Sequence, residues 1–346
     1  MRWLSKINLA IKYRPSSFDD LTEQESIKKI LTYQCETKTN VNAYLFCGSA
    51  GCGKTTSARI FAKMLNDGVE NCIELDAASN NSVDDMRKLV EQSNYQDLTS
   101  DYKVIILDEV HVLSNQAWQA LLKTLEEPPA KTIFIMCTTD PQKIPKTILS
   151  RVQRFNFKKI SYEGIIDRLL LILECEKMEN EAISYDFEAI EYIARLSQGG
   201  LRDAITSLDK CLSYSNNLTV EVVEKCLDIV DIDIMAELSL GILNKRLVLL
   251  DIIENVYNSG SDIKLFTKQY LDFVVNHIKL IQTKNEKYTL FSKEMSEKLL
   301  SQKVDIATYI ELMELLLDLN ELMRYETNPK VLLEAYLIKF VKDHQV

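Results

Sequence analysis

A glycine-rich octapeptide, Gly48-Ser49-Ala50-Gly51-Cys52-Gly53-Lys54-Thr55, stands between the apolar run Ala43–Cys47 and a stretch of helical periodicity at Thr55–Leu65. No other feature of the chain restricts its fold as much. Glycines let successive backbone N–H groups turn inward, and a helix starting at the end of the loop adds the positive end of its dipole, so the segment is suited to cradling phosphate. Lys54 supplies a cation for the β- and γ-phosphates and Thr55 a hydroxyl for Mg²⁺, with Thr56 next to them at the helix start. A plain glycine turn between strand and helix would leave Lys54 and Thr55 unexplained.

Such a loop needs a sheet behind it, and the sequence up to about Phe157 provides one. Short apolar runs at Ala43–Cys47, Cys72–Asp76, Val104–Leu107, Ile133–Thr138 and Gln153–Phe157 read as strands. Helical stretches at Thr55–Leu65, Val83–Ser93 and Gln116–Leu125 lie between them. Alternating strands and helices predict an α/β domain with a parallel sheet covered on both faces. After Lys158 the strand-like runs disappear and apolar residues recur at three- and four-residue spacing, as in IIDRLLLIL and FEAIEYIARL. The expected organisation is an α/β domain over 1–160, a helical bundle over 161–228 and a leucine-rich helical block over 229–346, with a helix break at Asn258–Ser261.

The segment Val104–His111, VIILDEVH, reads as a buried strand that delivers two carboxylates to its tip. Asp108 would hold Mg²⁺ through its water shell, and Glu109 would orient the attacking water, because phosphoryl transfer depends on positioning and charge placement. His111 reads as structural rather than catalytic. A third strand, IFIMCTTD, ends in two threonines, of which Thr139 is the better placed to sense a γ-phosphate or hold the water.

Charge and composition narrow the partners. A net charge of -10 disfavours nucleic-acid binding over the whole surface, so DNA contacts must come from helix N-termini or a local basic stripe. The helix starts after Asn80-Asn81-Ser82 and after Ser114, with Arg87 nearby, fit that need. The opening MRWLSKINLAIKYRP has neither the apolar core nor the cleavage site of a signal peptide, and no apolar run is long enough to span a membrane. The chain therefore reads as cytoplasmic. Its eight cysteines include no C-x-x-C pair, which argues against zinc and for reduced thiols.

The segments YRPSSFDDLTEQE, GSAGCGKT, IELDAASNNSVDDMR, LDEVHVLSNQAWQALLKTLEEPP, TTDPQKIPKTILSR and GGLRDA resemble, in order, the successive boxes of the gamma/tau subunits of bacterial clamp loaders, which are AAA+ ATPases. The likeness covers about residues 10–210. It implies an AAA+ P-loop domain with a parallel sheet, then an all-α lid domain and an all-α C-terminal collar domain. It implies ATP and Mg²⁺ as ligands, and as partners a sliding clamp, primer-template DNA and other loader subunits in a ring-shaped, pentameric hetero-oligomer. Ser150-Arg151 resembles the arginine-finger motif, with Val152 where the family usually carries cysteine; Arg151 would then act in trans on a neighbour's ATP. Arg202 resembles the lid arginine that touches the γ-phosphate of its own chain. Tyr13, Arg14 and Pro15 resemble the segment that packs near the adenine. The family's four-cysteine zinc module is missing, because Asn66 leads through Asp67-Gly68-Val69-Glu70-Asn71 straight to Cys72. The chain resembles a reduced gamma/tau subunit, without the long C-terminal extension of the tau form.

Overall fold

The computed structural model describes residues 7–69, 71–93, 95, 100–244, 248–285, 288, 289, 291, 293–302 and 304–344. The chain divides into two compact units, Met1–Ile183 with Ile193–Asp209, and Ser184–Tyr192 with Lys210–Val346. Glu70, within the turn from Asn66 to Cys72, lies outside the described residues.

The first unit is organised by one sheet. Its strands β1 (Ala43–Cys47), β2 (Cys72–Asp76), β3 (Lys103–Asp108), β4 (Thr132–Thr138) and β5 (Gln153–Asn156) lie in the order β2-β3-β4-β1-β5 and all pair in parallel. β1, β3 and β4 have no polar face to show, since each buries nearly every residue. Alternate side chains serve opposite faces. Tyr44, Phe46, Ile106, Ile135 and Phe155 pack on one side with Leu31, Phe61 and Leu65. Leu45, Ile105, Leu107, Phe134 and Met136 pack on the other with Met86, Leu89, Trp118 and Leu121. Those partners come from helices α2 (Glu25–Thr37) and α3 (Lys54–Leu65) on the first side, and α4 (Val83–Ser93) and α5 (Asn115–Glu126) on the second. Each such side chain contributes roughly 1.5–3 kcal/mol by leaving water. The short helix α1 (Leu9–Lys12) precedes them, and α6 (Lys146–Leu149) links β4 to β5.

Helix α7 (Tyr162–Glu179) follows the sheet, capped at its start by Ser161, whose Oγ accepts the Gly164 N–H. A clasp holds that junction. The Gln24 side chain donates to the Lys158 carbonyl at 2.7 Å and accepts the Lys158 N–H at 3.2 Å.

Beyond it the chain is helical, as expected, with one departure. Ser184–Tyr185 (β6) and Asn217–Leu218 (β7) form a two-residue parallel pair in the second unit. Strands this short carry no alternation that periodicity could detect. Helices α8 (Phe187–Leu196) and α9 (Leu201–Tyr214) contribute residues to both units, and α10 (Val220–Leu227) follows. The second unit continues through α11 (Ile232–Leu243), α12 (Val248–Asn258), α13 (Ile263–Thr283), α14 (Lys293–Leu300), α15 (Ile306–Leu322) and α16 (Pro329–Asp343). The break expected at Asn258–Ser261 separates α12 from α13. At its centre Ser239 Oγ lies 3.0 Å from both Tyr270 OH and Tyr309 OH, and Tyr309 OH lies 3.1 Å from His277 Nδ1. These four polar groups are buried among Leu312, Leu316, Phe266 and Phe273. None of the described helices is long and apolar enough to cross a membrane.

Candidate active site

The octapeptide lies at the carboxyl ends of the central strands, where open α/β sheets bind ligands. β1 is paired so that Cys47 stands opposite Thr138 of β4, and the Gly48 N–H donates to the Thr138 carbonyl at 3.2 Å. The loop is therefore tied to the tip of the strand that carries Thr139.

Two of its glycines are required by backbone conformation. Gly51 has φ +70° and Gly53 has φ +99°, the left-handed region that L side chains rarely adopt. Space is equally restrictive at Gly51, where a β-carbon would meet the Gly200 Cα at 3.2 Å and the Arg202 nitrogen at 3.3 Å. The loop thus lies against the first turn of α9, the helix that carries Arg202. At Gly48 a β-carbon would stand 2.8 Å from the Phe157 carbonyl oxygen.

Lys54 is buried, and its Nζ donates to the carbonyl oxygens of Gly48 and Ser49 at 3.0 and 2.8 Å. Its charge is thereby held inside the curve of the loop. Thr55 Oγ1 donates to Asp108 Oδ2 at 2.7 Å. A hydroxyl and a carboxylate so close are a hard oxygen pair of the kind Mg²⁺ favours. The glycine cradle, the enclosed ammonium and this oxygen pair fit a magnesium nucleotide.

Glu109 follows the end of β3 in a left-handed conformation, φ 48° and ψ 42°, uncommon for a residue with a side chain. Its N–H donates to Asp108 Oδ1 at 2.9 Å. Its Oε2 accepts from Thr139 Oγ1 at 3.1 Å and lies 3.2 Å from His111 Nδ1. Thr138 Oγ1, by contrast, accepts the Asp140 N–H at 3.0 Å and faces His111 Nδ1 at 3.4 Å. The two threonines at the end of IFIMCTTD therefore have different partners.

Arg14 and Pro15 line a cleft of about 180 Å³ with Ser16, Thr56, Arg59, Ile60 and Lys63. Burial, with the like charges of Arg59 and Arg202 adding to it, lowers the Arg14 pKa against the pull of Glu74 and Asp108. Tyr13 is placed differently. Its hydroxyl donates to Glu176 Oε1 at 2.8 Å, its carbonyl accepts from Arg168, and both partners are on α7. Burial, and the bond to Glu176, push the Tyr13 phenol up to about 12.

Arg151 follows α6 and is engaged within its own chain. Its Nη2 donates to Glu126 Oε1 at 2.7 Å, and its Nη1 to the Thr147 carbonyl at 2.6 Å and to Ser150 Oγ at 3.1 Å. Sequence reasoning missed the pairing partners Glu126, Glu176 and Arg168. Each is an ordinary polar residue on a helix, and only the folded chain brings it to its partner.

Comparison with known proteins places this geometry. The chain is 33% identical to the DNA polymerase III subunit tau of Bacillus subtilis (strain 168), a match that covers 96% of this chain and 63% of that relative. It is 36% identical to the DNA polymerase III subunit gamma of Buchnera aphidicola subsp. Baizongia pistaciae, over 69% of each chain. The chain belongs to the DNA polymerase III gamma/tau family. The family profile described as "DNA polymerase III, delta subunit" also matches residues 71–161 of this gamma/tau family member. Among solved structures, the Thermotoga maritima RuvB Holliday junction branch migration motor superposes with a TM-score of 0.52 at 18% identity, covering 85% of this chain and 99% of that one. That likeness concerns the fold alone, a parallel sheet with helical additions.

Proposed function

We propose that this chain is the ATPase subunit of a sliding-clamp loader, using ATP binding and hydrolysis to open a clamp and load it on primer-template DNA during replication. The observation that carries this reading is the convergence of Lys54, Thr55, Asp108, Glu109 and Thr139 at the ends of three neighbouring strands, in a chain of the gamma/tau family. The backbone of Gly48 to Thr56 would hold the phosphates, with Lys54 neutralising the β- and γ-phosphates. Mg²⁺ held by Thr55 and Asp108 would offset the remaining phosphate charge.

Glu109 then orients and polarises the attacking water while Thr139 holds its carboxylate. Arg14 and Pro15, in the cleft beside Thr56, and Tyr13 next to them would border the adenine. Arg202, carried by the helix against which Gly51 rests, reads the γ-phosphate of its own chain, and Arg151 that of a neighbour. In this reading 1–160 is the ATPase domain, 161–228 the lid and 229–346 the collar through which a pentameric ring assembles. The protein works in the cytoplasm and carries no structural zinc, which elemental analysis checks.

Steady-state hydrolysis tests the proposal. Clamp and primer-template DNA should stimulate the wild-type chain. Lys54→Ala should lose ATP affinity, whereas Glu109→Gln should bind ATP and fail to hydrolyse it. Wild-type turnover in Glu109→Gln would reject the assignment of the water-orienting carboxylate.

A further inference from the structure

Helix α1 has only four residues, too few to be stable alone, yet it leads directly into the segment that walls the cleft beside Thr56. Beyond its Asn8 cap it is held from outside. Leu9 is buried, and its N–H donates to Asp209 Oδ2 of α9 at 3.3 Å. Lys12 Nζ donates to Glu176 Oε1 at 2.8 Å and to Glu179 Oε2 at 2.7 Å. Tyr13 OH donates to the same Glu176 oxygen at 2.8 Å, and the Tyr13 carbonyl accepts from Arg168 Nη2 at 2.8 Å. Arg168, Glu176 and Glu179 are spaced along one face of α7. The next residues enter the cleft. Arg14 Nε donates to Thr56 Oγ1 at 3.4 Å, Pro15 follows with its fixed φ, and both line the cleft. Tyr13 is thus held at its hydroxyl and at its carbonyl, immediately before the residue that reaches the first turn of α3.

We propose that Glu176 and Arg168 are positioning residues for the nucleotide: through Tyr13 they fix the entry of the chain into the cleft and keep Arg14 and Pro15 in place as its wall. The assignment rests on the reading of Arg14 and Pro15 as a border of the nucleotide. With Tyr13 released at both points, Arg14 would sample other orientations, and nucleotide binding would have to supply the order that α7 now provides in advance. The effect falls on binding and not on the chemical step, because Glu109 and Thr139 stand at the ends of β3 and β4, away from these contacts.

The test measures ATP hydrolysis and the affinity for a fluorescent ATP analogue on variants of the full-length chain. Glu176→Ala should raise KM and weaken analogue binding roughly 3- to 10-fold, the weight of one net hydrogen bond, while kcat stays at the wild-type level. Glu176→Gln keeps an oxygen for the tyrosine and should restore most of the affinity. Arg168→Met keeps the apolar stem without the donor and should resemble Glu176→Ala. Tyr13→Phe removes a single oxygen, should weaken binding in the same way, and serves as the test should Glu176→Ala fold poorly. In an Arg14→Ala background Glu176→Ala should cause little further loss, since the two act in series.

If Arg14→Ala weakens analogue binding but Glu176→Ala, Arg168→Met and Tyr13→Phe bind at the wild-type affinity, the positioning role is overturned and the reading of the cleft stands. Losses in Glu176→Ala and Arg14→Ala that simply add, with Glu176→Gln no better than Glu176→Ala, also overturn it, because Glu176 then serves only the packing of α1. Wild-type affinity in Arg14→Ala removes both assignments together.

Discussion

Thr55 Oγ1 lies 2.7 Å from Asp108 Oδ2, joining the first turn of α3 to the tip of β3 across fifty-three residues of sequence. This contact joins the two residues proposed to hold Mg²⁺, and it makes them separable by experiment from the phosphate loop. Asp108→Asn keeps the shape but removes the charge that draws a divalent cation. The Mg²⁺ concentration that gives half-maximal hydrolysis should rise by about 10- to 100-fold. Titrating Mg²⁺ at saturating ATP checks it, and an unchanged midpoint would remove Asp108 from the metal's surroundings.

Gly51 offers a test of the loop that does not involve charge. Its φ of +70° and the 3.2 Å approach of the Gly200 Cα make a methyl group both strained in backbone and tightly crowded. Gly51→Ala should destabilise the folded chain by about 1–3 kcal/mol, and the displaced first turn of α9 should carry Arg202 away with it. The expected result is a lower melting temperature together with weaker ATP binding. Gly68, also at positive φ but with open space around it, is the control: alanine there pays only the backbone strain and should leave ATP affinity unchanged.

The strands were legible because β1, β3 and β4 are buried on both faces, so that AYLFC, VIIL and IFIMC read as unbroken apolar runs. The glycine loop and the Asp108-Glu109 pair were legible because each lies within one short segment. Contacts that arise only on folding were not. Nothing in the sequence pairs Tyr13 with Glu176, 163 positions away, or Arg151 with Glu126. The left-handed backbone at Glu109 was equally hidden, since no glycine or asparagine marks it. Helix α2 was not foreseen. It begins after two consecutive left-handed residues, Glu23 and Gln24, and its side-chain cap is absent, so the usual start signals are missing.

The buried polar group of the second unit predicts a response to acid. Burial lowers the His277 pKa below the ordinary 6.5. Above that ordinary value both the folded and unfolded chains hold the ring neutral, and the contribution to stability is complete. As the pH falls below it, the unfolded chain takes up the proton first, so stability declines until the depressed folded pKa is reached. His277→Leu removes this dependence while leaving the Tyr309 hydroxyl without its histidine partner. The difference in melting temperature between about pH 7.5 and about pH 5.5 should therefore narrow in the variant, even though its absolute stability is lower. An undiminished difference would show that other groups carry the acid response.

Arg151 tests whether hydrolysis is shared between chains. Its guanidinium is held by Glu126 and Thr147 at the end of α6, and its bonds involve none of the residues of the glycine loop. On the proposed reading, a positive charge so placed assists the γ-phosphate of a neighbouring chain, and fingers of this kind contribute about 10³–10⁵-fold in rate. Arg151→Ala should then bind ATP with nearly normal affinity and lose the hydrolysis stimulated by clamp and DNA. Mixing it with Lys54→Ala chains should restore part of the activity, because an interface can form between an intact loop on one chain and an intact Arg151 on the other. Arg202→Ala should gain nothing from the same mixture. On the same reading its arginine serves its own chain's nucleotide, so neither chain then offers a complete site. Hydrolysis rates across a series of mixing ratios separate the two cases. Equal rescue of both arginine variants, or of neither, would leave Arg151 without a role in trans.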